Sequence, residues 1–355
     1  MKRAFKAPSV STACEYNAGM RTLLGHWFRI PESDERALWQ TGLFSFDASV
    51  LLNIYAYSRE TRDELMKLIE ANGERVRLPY QFGLEYSRNR GLVIIKQVSN
   101  YLKADKDLQE FQTKHLAPKR EHPHLGAESL QAIKAVREDL AARKGEMEGF
   151  ISTDPYGNRI LEVFGGKLGP APSEEQLTEF HKEAAARYAS SSPPGYADLK
   201  DKAIPEAYGD YIGWSQLIEI AKREQKGCVL VIDDLKEDWW LIEKDRTIGP
   251  RPELIDEFHR LTKQNLWIYT SENFLRAAKV FTNAQIRDEA IEEVTQRLAS
   301  QRESKIISDL KPGLEEDKAP RGSDDGEDFK KPEDDDSATF TPGDSAKPTA
   351  KSEDE

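Results

Sequence analysis

The sequence predicts an α/β fold with a central parallel sheet, helices on both faces, a helical insertion and an acidic tail. Three observations lead there. The short apolar runs LFSF (43–46), CVLVI (228–232) and LWIYT (266–270) have the continuous hydrophobic text of buried parallel strands. Amphipathic segments with helical spacing separate them. Residues 301–355 hold 17 acidic and 9 basic residues, so eight of the twelve excess negative charges sit in a stretch poor in hydrophobics, which predicts disorder.

Taken in order, residues 1–39 read as a loosely ordered lead-in with a short amphipathic piece around Trp27, Phe28 and Trp39. The segment LFSFDASVLLNIYAY reads as a buried strand running into a helix. In TRDELMKLIEANG, Thr61 is the expected N-cap, Glu64 completes a capping box and Gly73 stops the helix. RVRLPY is a second expected strand, ended by Pro79. A long helix follows from about Gln81 past Tyr101. Residues 100–195 are charged and helical in period, and read as an insertion outside the core. SSPPGYADLKDKAIPEAYGD is a loop rich in Pro and Gly. Trp214, Leu217, Ile218 and Ala221 give the next helix an apolar face. CVLVI is the expected central strand, then come a helix around RPELIDEFHRLTKQN, the strand LWIYT and the helix ENFLRAAKVF. The predicted organisation is a domain at 40–285, a C-terminal helix at 286–304 and a disordered acidic tail at 305–355.

The 355 residues are 32% charged, yet most of the net charge of −12 is in the tail, so acidity does not exclude a nucleic-acid partner. Cys14 and Cys228 are far apart and form no disulfide framework or zinc motif. There is no apolar signal segment and no run near the ~20 residues a membrane helix needs. A cytoplasmic protein without a membrane partner is the expectation.

In an open α/β sheet, ligands bind beyond the carboxyl ends of the strands. Asp47 follows LFSF, Asp233 and Asp234 follow CVLVI, Asp210 opens the preceding helix, and Glu85 lies in the first turns of the long helix. Taken singly, each has an ordinary explanation. Asp210 could be an N-cap, Asp233 and Asp234 turn residues, and Glu85 a solvated helix residue. Asp47, between Phe46 and an apolar run, is costly to bury unpaired. Together the acids make a set that would repel itself unless a cation neutralised it. Oxygen ligands suit Mg²⁺ or Mn²⁺, and such an ion can activate water and stabilise phosphoryl charge. Phosphodiester hydrolysis is the chemistry this set fits best.

Several basic residues are candidates for substrate contact: Arg62 in a helix's first turn, Arg88 on the face of Glu85, Lys200 and Lys202 in the Pro-Gly loop, and Lys236 just after the paired aspartates. Each is also explicable as a surface residue. Trp239 and Trp240 could stack on bases, though tandem tryptophans more often pack in a core. Lys114, His115, Lys119, Arg120, His122 and His124 form a basic patch in the insertion. No Walker, GxGxxG or GxSxG motif is present.

The blocks FDASVLLNIYAYSRETRDEL, RLPYQFGLEYSRNR, PPGYADLKDK, YGDYIGWSQLIEIAK, VLVIDDLKEDWW and GPRPELIDEF resemble the bacterial PIN-like domain family, in the large variety with a helical insertion. The resemblance covers roughly residues 40–280. It implies a three-layer α/β/α sandwich and a Mg²⁺- or Mn²⁺-dependent nuclease, usually acting on RNA and leaving 5′-phosphate and 3′-hydroxyl ends. By position it implies that Asp47, Glu85, Asp210 and Asp234 are the catalytic acids and metal ligands, with Asp233 an adjacent candidate and Ser49 a small polar partner. Ile232 departs from the pattern: a Thr or Ser usually stands two residues before the last Asp, so a hydroxyl that could support the site is missing. A toxin or defence effector restrained by a neighbouring protein is one setting for such an activity. Two other functions compete, a non-catalytic nucleic-acid or protein-binding module on the same scaffold, and a structure-specific DNA nuclease whose arch the insertion would supply.

Overall fold

The computed structural model describes residues 19–20, 24–116, 125–244 and 246–310, with side chains to residue 304. The chain separates into two units, residues 1–305 and 306–355, and the sheet and the candidate site belong to the first. The tail expected to be disordered from 305 begins instead with helix to Leu310; the remainder, Cys14 and the patch residues Lys119, Arg120, His122 and His124 lie outside the described residues.

Three parallel strands form the centre: β1 (Leu43–Phe46), β2 (Cys228–Val231) and β5 (Leu266–Tyr269), ordered β1-β2-β5. β1 and β2 are buried along their whole length, as their unbroken apolar text requires. The register pairs Phe46 with Val231 and Val231 with Tyr269, so all three strands end level. The Asp47 N–H donates to the Val231 carbonyl, and the Ile232 N–H to the Tyr269 carbonyl. Residues 47, 232–234 and 270–271 are thereby brought to one edge.

Helices flank this sheet. On α1 (Glu32–Thr41), Trp39 packs against Phe44 and stacks on Phe274 of α10 (Ser271–Phe281). The short α2 (Ala48–Asn53) leaves β1, and α3 (Arg59–Ala71) follows. The N-cap of α3 is Ser58, whose hydroxyl accepts the Thr61 N–H, rather than Thr61 itself. RVRLPY does not form a full strand: Val76 makes one parallel bridge to Phe44, and Leu78 one to Leu168. Pro79 lacks an N–H and is followed at once by α4 (Tyr80–His115), which leaves no length for a ladder.

α4 runs 36 residues, or about 54 Å at ~1.5 Å per residue. With α5 (Ala127–Gly149) it forms a long helical pair. α6 (Pro155–Phe164) and α7 (Glu174–Ala189) complete the inserted region. α8 (Gly209–Glu224) leads into β2, and α9 (Pro252–Thr262) into β5. Trp214 of α8 meets Phe258 of α9. Between β2 and α9 lies an antiparallel hairpin that the sequence pattern did not announce, β3 (Trp240–Glu243) with β4 (Arg246–Pro250). The final helix, α11 (Asp288–Leu310), buries Ile291, Val294 and Leu298.

Candidate metal centre

Asp47 ends β1 and caps α2. Its Oδ2 accepts the Ser49 N–H at 2.8 Å, an N-cap bond that fixes the carboxylate where the strand stops. The Ser49 hydroxyl accepts the Asp233 N–H at 3.0 Å and so ties this turn to the end of β2. Asp233 and Asp234 then point to different fates. Asp233 is buried, and its carboxylate accepts from Asn53 Nδ2 (2.9 Å), the Ser271 N–H (2.9 Å) and the Ser271 hydroxyl (2.8 Å). Its oxygens are consumed in joining α2 to α10, so its expected place among the metal ligands is not supported by this geometry. Ile232 is buried in the core, and the hydroxyls that bond Asp233 come from Ser49 and Ser271.

Asp234 turns the other way, towards Asp198 and Asp210. One carboxylate oxygen from each of these three residues lies within 4.8 Å of the other two. Asp210 is not an N-cap. The cap position is Tyr208, Asp210 stands in the first turn of α8, and its Oδ2 accepts from the Trp239 indole at 3.2 Å. Glu85 of α4 is half-buried and held by Gln81 Nε2 at 2.8 Å. A Cβ on Gly209 would lie 2.2 Å from Glu85 Oε1, so a larger residue there would push the Glu85 carboxylate out of its present position.

Asp198, fully buried, is not among the acids that the sequence pattern picks out. It sits in a short 3-10 turn, Tyr196–Lys200, inside the Pro-Gly loop. Such a turn has no periodicity to mark a buried position. The signals available were its apolar neighbours Ala197 and Leu199 and the preceding Gly195. Gly195 has φ +91°, and a Cβ there would overlap the Tyr188 hydroxyl and lie 2.8 Å from Asp210 Cβ. α7 holds the loop, with Tyr188 donating to the Ala207 carbonyl at 3.1 Å and Arg187 bonding the Pro193 carbonyl.

Two ammonium groups face these acids. Lys236 bonds both Asp198 and Asp234, and Lys202 bonds Asp198 Oδ2 at 2.5 Å. Asp47, Glu85, Asp210 and Asp238 add to the negative side, so six carboxyls share two cations. The consequences appear in the titration of the groups. Burial, then the charges of Glu85 and Asp234, raise Asp47 to about 7 against hydrogen bonding from Ser49. Burial followed by the charges of Asp198 and Asp234 holds Asp210 well above the usual range. Burial also raises Glu85 and Asp238. Burial pushes Asp198 up too, but Lys236 and Lys202 outweigh it and leave it below the usual value.

The donor set fits a hard divalent cation. It consists of carboxylate oxygens alone, more carboxyls than facing ammonium groups, gathered closely enough to share one cation. Among the described residues, Asp238 Oδ1 is also buried without a hydrogen-bond partner.

The expected substrate contacts divide. Arg62 is buried: its Nε donates to the Tyr57 carbonyl at 2.8 Å, and its guanidinium packs on Phe150 and Tyr156. It fastens the inserted region to the core and is not available to substrate, which corrects the expectation from its place at a helix start. Arg88 is exposed on α4, and Lys200 is exposed beside Glu237. Trp239 and Trp240 are core residues whose indoles bond Asp210 and the Asp234 carbonyl, so neither can stack on a base.

A sequence model of the PIN-like domain family matches residues 43–254, more than half of the chain. The chain belongs to that family. The match spans β1, the long helix, the Pro-Gly loop, α8, β2 and the hairpin, which are the elements that carry every acid of the cluster. Neither the curated proteins nor the solved structures contain a match. Among the described residues no helix is long and apolar enough to cross a membrane.

Proposed function

We propose that this chain is a metal-dependent nuclease that hydrolyses phosphodiester bonds, with RNA the preferred substrate and Mg²⁺ or Mn²⁺ the cofactor. PIN-like domains are typically nucleases that use divalent metal. The observation that carries the reading is the convergence of Asp198, Asp210 and Asp234, beside Asp47 and Glu85, at the carboxyl edge of the sheet.

Asp198, Asp210 and Asp234 would hold the cation, with Asp47 and Glu85 alongside. A bound divalent ion supplies Lewis acidity and a lowered pKa for water. Asp47, beside the cation site and oriented by its bond from Ser49, is placed to take the proton of the attacking water. Glu85, braced by Gln81, orients that water. The water oxygen bonds to phosphorus as the P–O3′ bond breaks, and the departing 3′ oxygen takes up a proton, leaving 5′-phosphate and 3′-hydroxyl ends.

One observation favours a second reading. Lys236 already neutralises two of the carboxylates, as it would in a non-catalytic binding module that needs no metal. The deciding experiment incubates the protein with Mn²⁺ and single-stranded RNA, single-stranded DNA and flap substrates, beside Asp47→Asn and Asp210→Asn. The nuclease reading expects cleavage by wild type alone. Equal products from wild type and variants, or none from wild type despite bound Mn²⁺, would overturn it. Preference for flaps would assign the structure-specific DNA reading instead.

A further inference from the structure

Lys236 has no part in the reaction just described, although it lies among the acids proposed to perform it. Its ammonium rests against Asp198 Oδ1 and Asp234 Oδ2, and its side chain is 14% exposed. Three of the other four oxygens of Asp198, Asp210 and Asp234 are engaged elsewhere. Asp198 Oδ2 accepts from Lys202 at 2.5 Å, Asp234 Oδ1 from the Lys236 backbone N–H at 3.1 Å, and Asp210 Oδ2 from the Trp239 indole at 3.2 Å. An ammonium and a hard divalent cation use the same carboxylate lone pairs.

We infer that Lys236 is the resident counter-cation of the cluster and must be displaced from Asp198 and Asp234 when a divalent cation binds. This deepens the metal-dependent reading and rests on it. The backbone of Lys236 is pinned. Its N–H bonds Asp234, and its carbonyl accepts the N–H groups of Trp239 and Trp240 at 3.2 and 3.1 Å. Only the flexible four-carbon stem is left to move. Exchange replaces one positive charge by two beside carboxyls that outnumber the two ammonium groups, which gives the displacement its driving force. The displaced ammonium stays tethered two residues from Asp234, within reach of an anionic group that approaches the same acids. Lys202 provides the contrast. Its side chain is 41% exposed and hydrogen-bonds Asp198 alone, through the oxygen that Lys236 does not hold, so it can remain in place.

The test compares Mn²⁺ affinity by calorimetry for the full-length wild type, Lys236→Met and Lys202→Met. Each substitution removes one positive charge, but only the first removes the competitor. Lys236→Met should bind Mn²⁺ at least tenfold more tightly than wild type, and the gain should exceed that of Lys202→Met. A second readout needs no variant: acetylation by an N-hydroxysuccinimide ester, located by mass spectrometry. In wild type, Lys236 should be protected without metal and modified at saturating Mn²⁺, with exposed Lys200 modified in both states. Equal gains in the two variants, or continued protection of Lys236 in Mn²⁺-saturated wild type, would overturn displacement and leave the metal site standing. Absence of Mn²⁺ binding in all three proteins would remove the metal reading and displacement together.

Discussion

The end of β2 carries two aspartates that meet different surroundings. Asp233 enters a knot of Asn53, Ser271 and the Ser49-braced turn, with the charge of Arg297 nearby, where three donors satisfy its oxygens. Asp234 enters a region where like charges from α8 and the Pro-Gly loop crowd together, and where two lysines offset only part of the charge. Both regions bury carboxylates, so burial alone does not mark a reactive acid. The two differ in whether nearby donors already satisfy the charge. The first region uses its acid to join helices. The second is left with negative charge that a cation can use.

The largest test of that contrast is Asp210→Asn. It should lower cleavage about a thousandfold or more, since a metal site is worth several kcal/mol to the transition state. Calorimetry should show Mn²⁺ binding lost with it. The same substitution should stabilise the metal-free protein, because it relieves a buried repulsion. An Asp210→Asn protein that still binds Mn²⁺ normally would remove the distinction between the two regions.

Next in size is pH. Asp47 titrates at about 7 in the fold against an ordinary value of 3.8. Between those values the folded chain keeps a proton that the unfolded chain has released, so rising pH favours unfolding. The metal-free protein should lose up to about 4 kcal/mol from this group between roughly pH 4 and pH 7. Urea unfolding at pH 5 and pH 8 should show the loss in wild type and a flatter dependence in Asp47→Asn. Saturating Mn²⁺ should restore stability at pH 8.

Asp233→Asn should behave in the opposite sense to Asp210→Asn. An amide NH₂ in place of one oxygen faces at least one of the buried donors, leaves it unmatched and costs about 2–3 kcal/mol. Mn²⁺ affinity, measured below the melting range, should stay unchanged. Arg62→Met should cost about 2 kcal/mol through lost bonds and ring contacts, seen as a lower melting temperature, with cleavage per folded molecule preserved. Smallest is Arg88→Ala, which should reduce the salt dependence of nucleic-acid binding by a slope of about one if Arg88 meets a phosphate. An unchanged slope would leave it a solvated arginine.

Much of this protein is legible in its amino-acid text. LFSF, CVLV and LWIY announce buried parallel strands because a strand covered on both faces must be apolar throughout. The strand-end rule then selects Asp47 and the pair Asp233 and Asp234 without choosing between the two, and helix periodicity finds α4, α8 and α10. Local text failed where the outcome depends on distant partners. RVRLPY has the composition of a strand, but only Phe44 and Leu168 pair with it. Arg62 looked free at a helix start, yet Phe150 and Tyr156 of the inserted region fold over it.

The sequence by itself determined the sheet, its flanking helices and the edge at which acids collect, because those follow from hydrophobic pattern and chain direction. Tertiary structure alone decided which acids share a site. Asp198 joins through a glycine-dependent loop, Asp233 leaves through three hydrogen bonds, and Lys236 turns inward to the carboxylates. The physical reason is that charge neutralisation is a contest among groups far apart in sequence. Distances of a few ångströms settle it, and no local pattern encodes them.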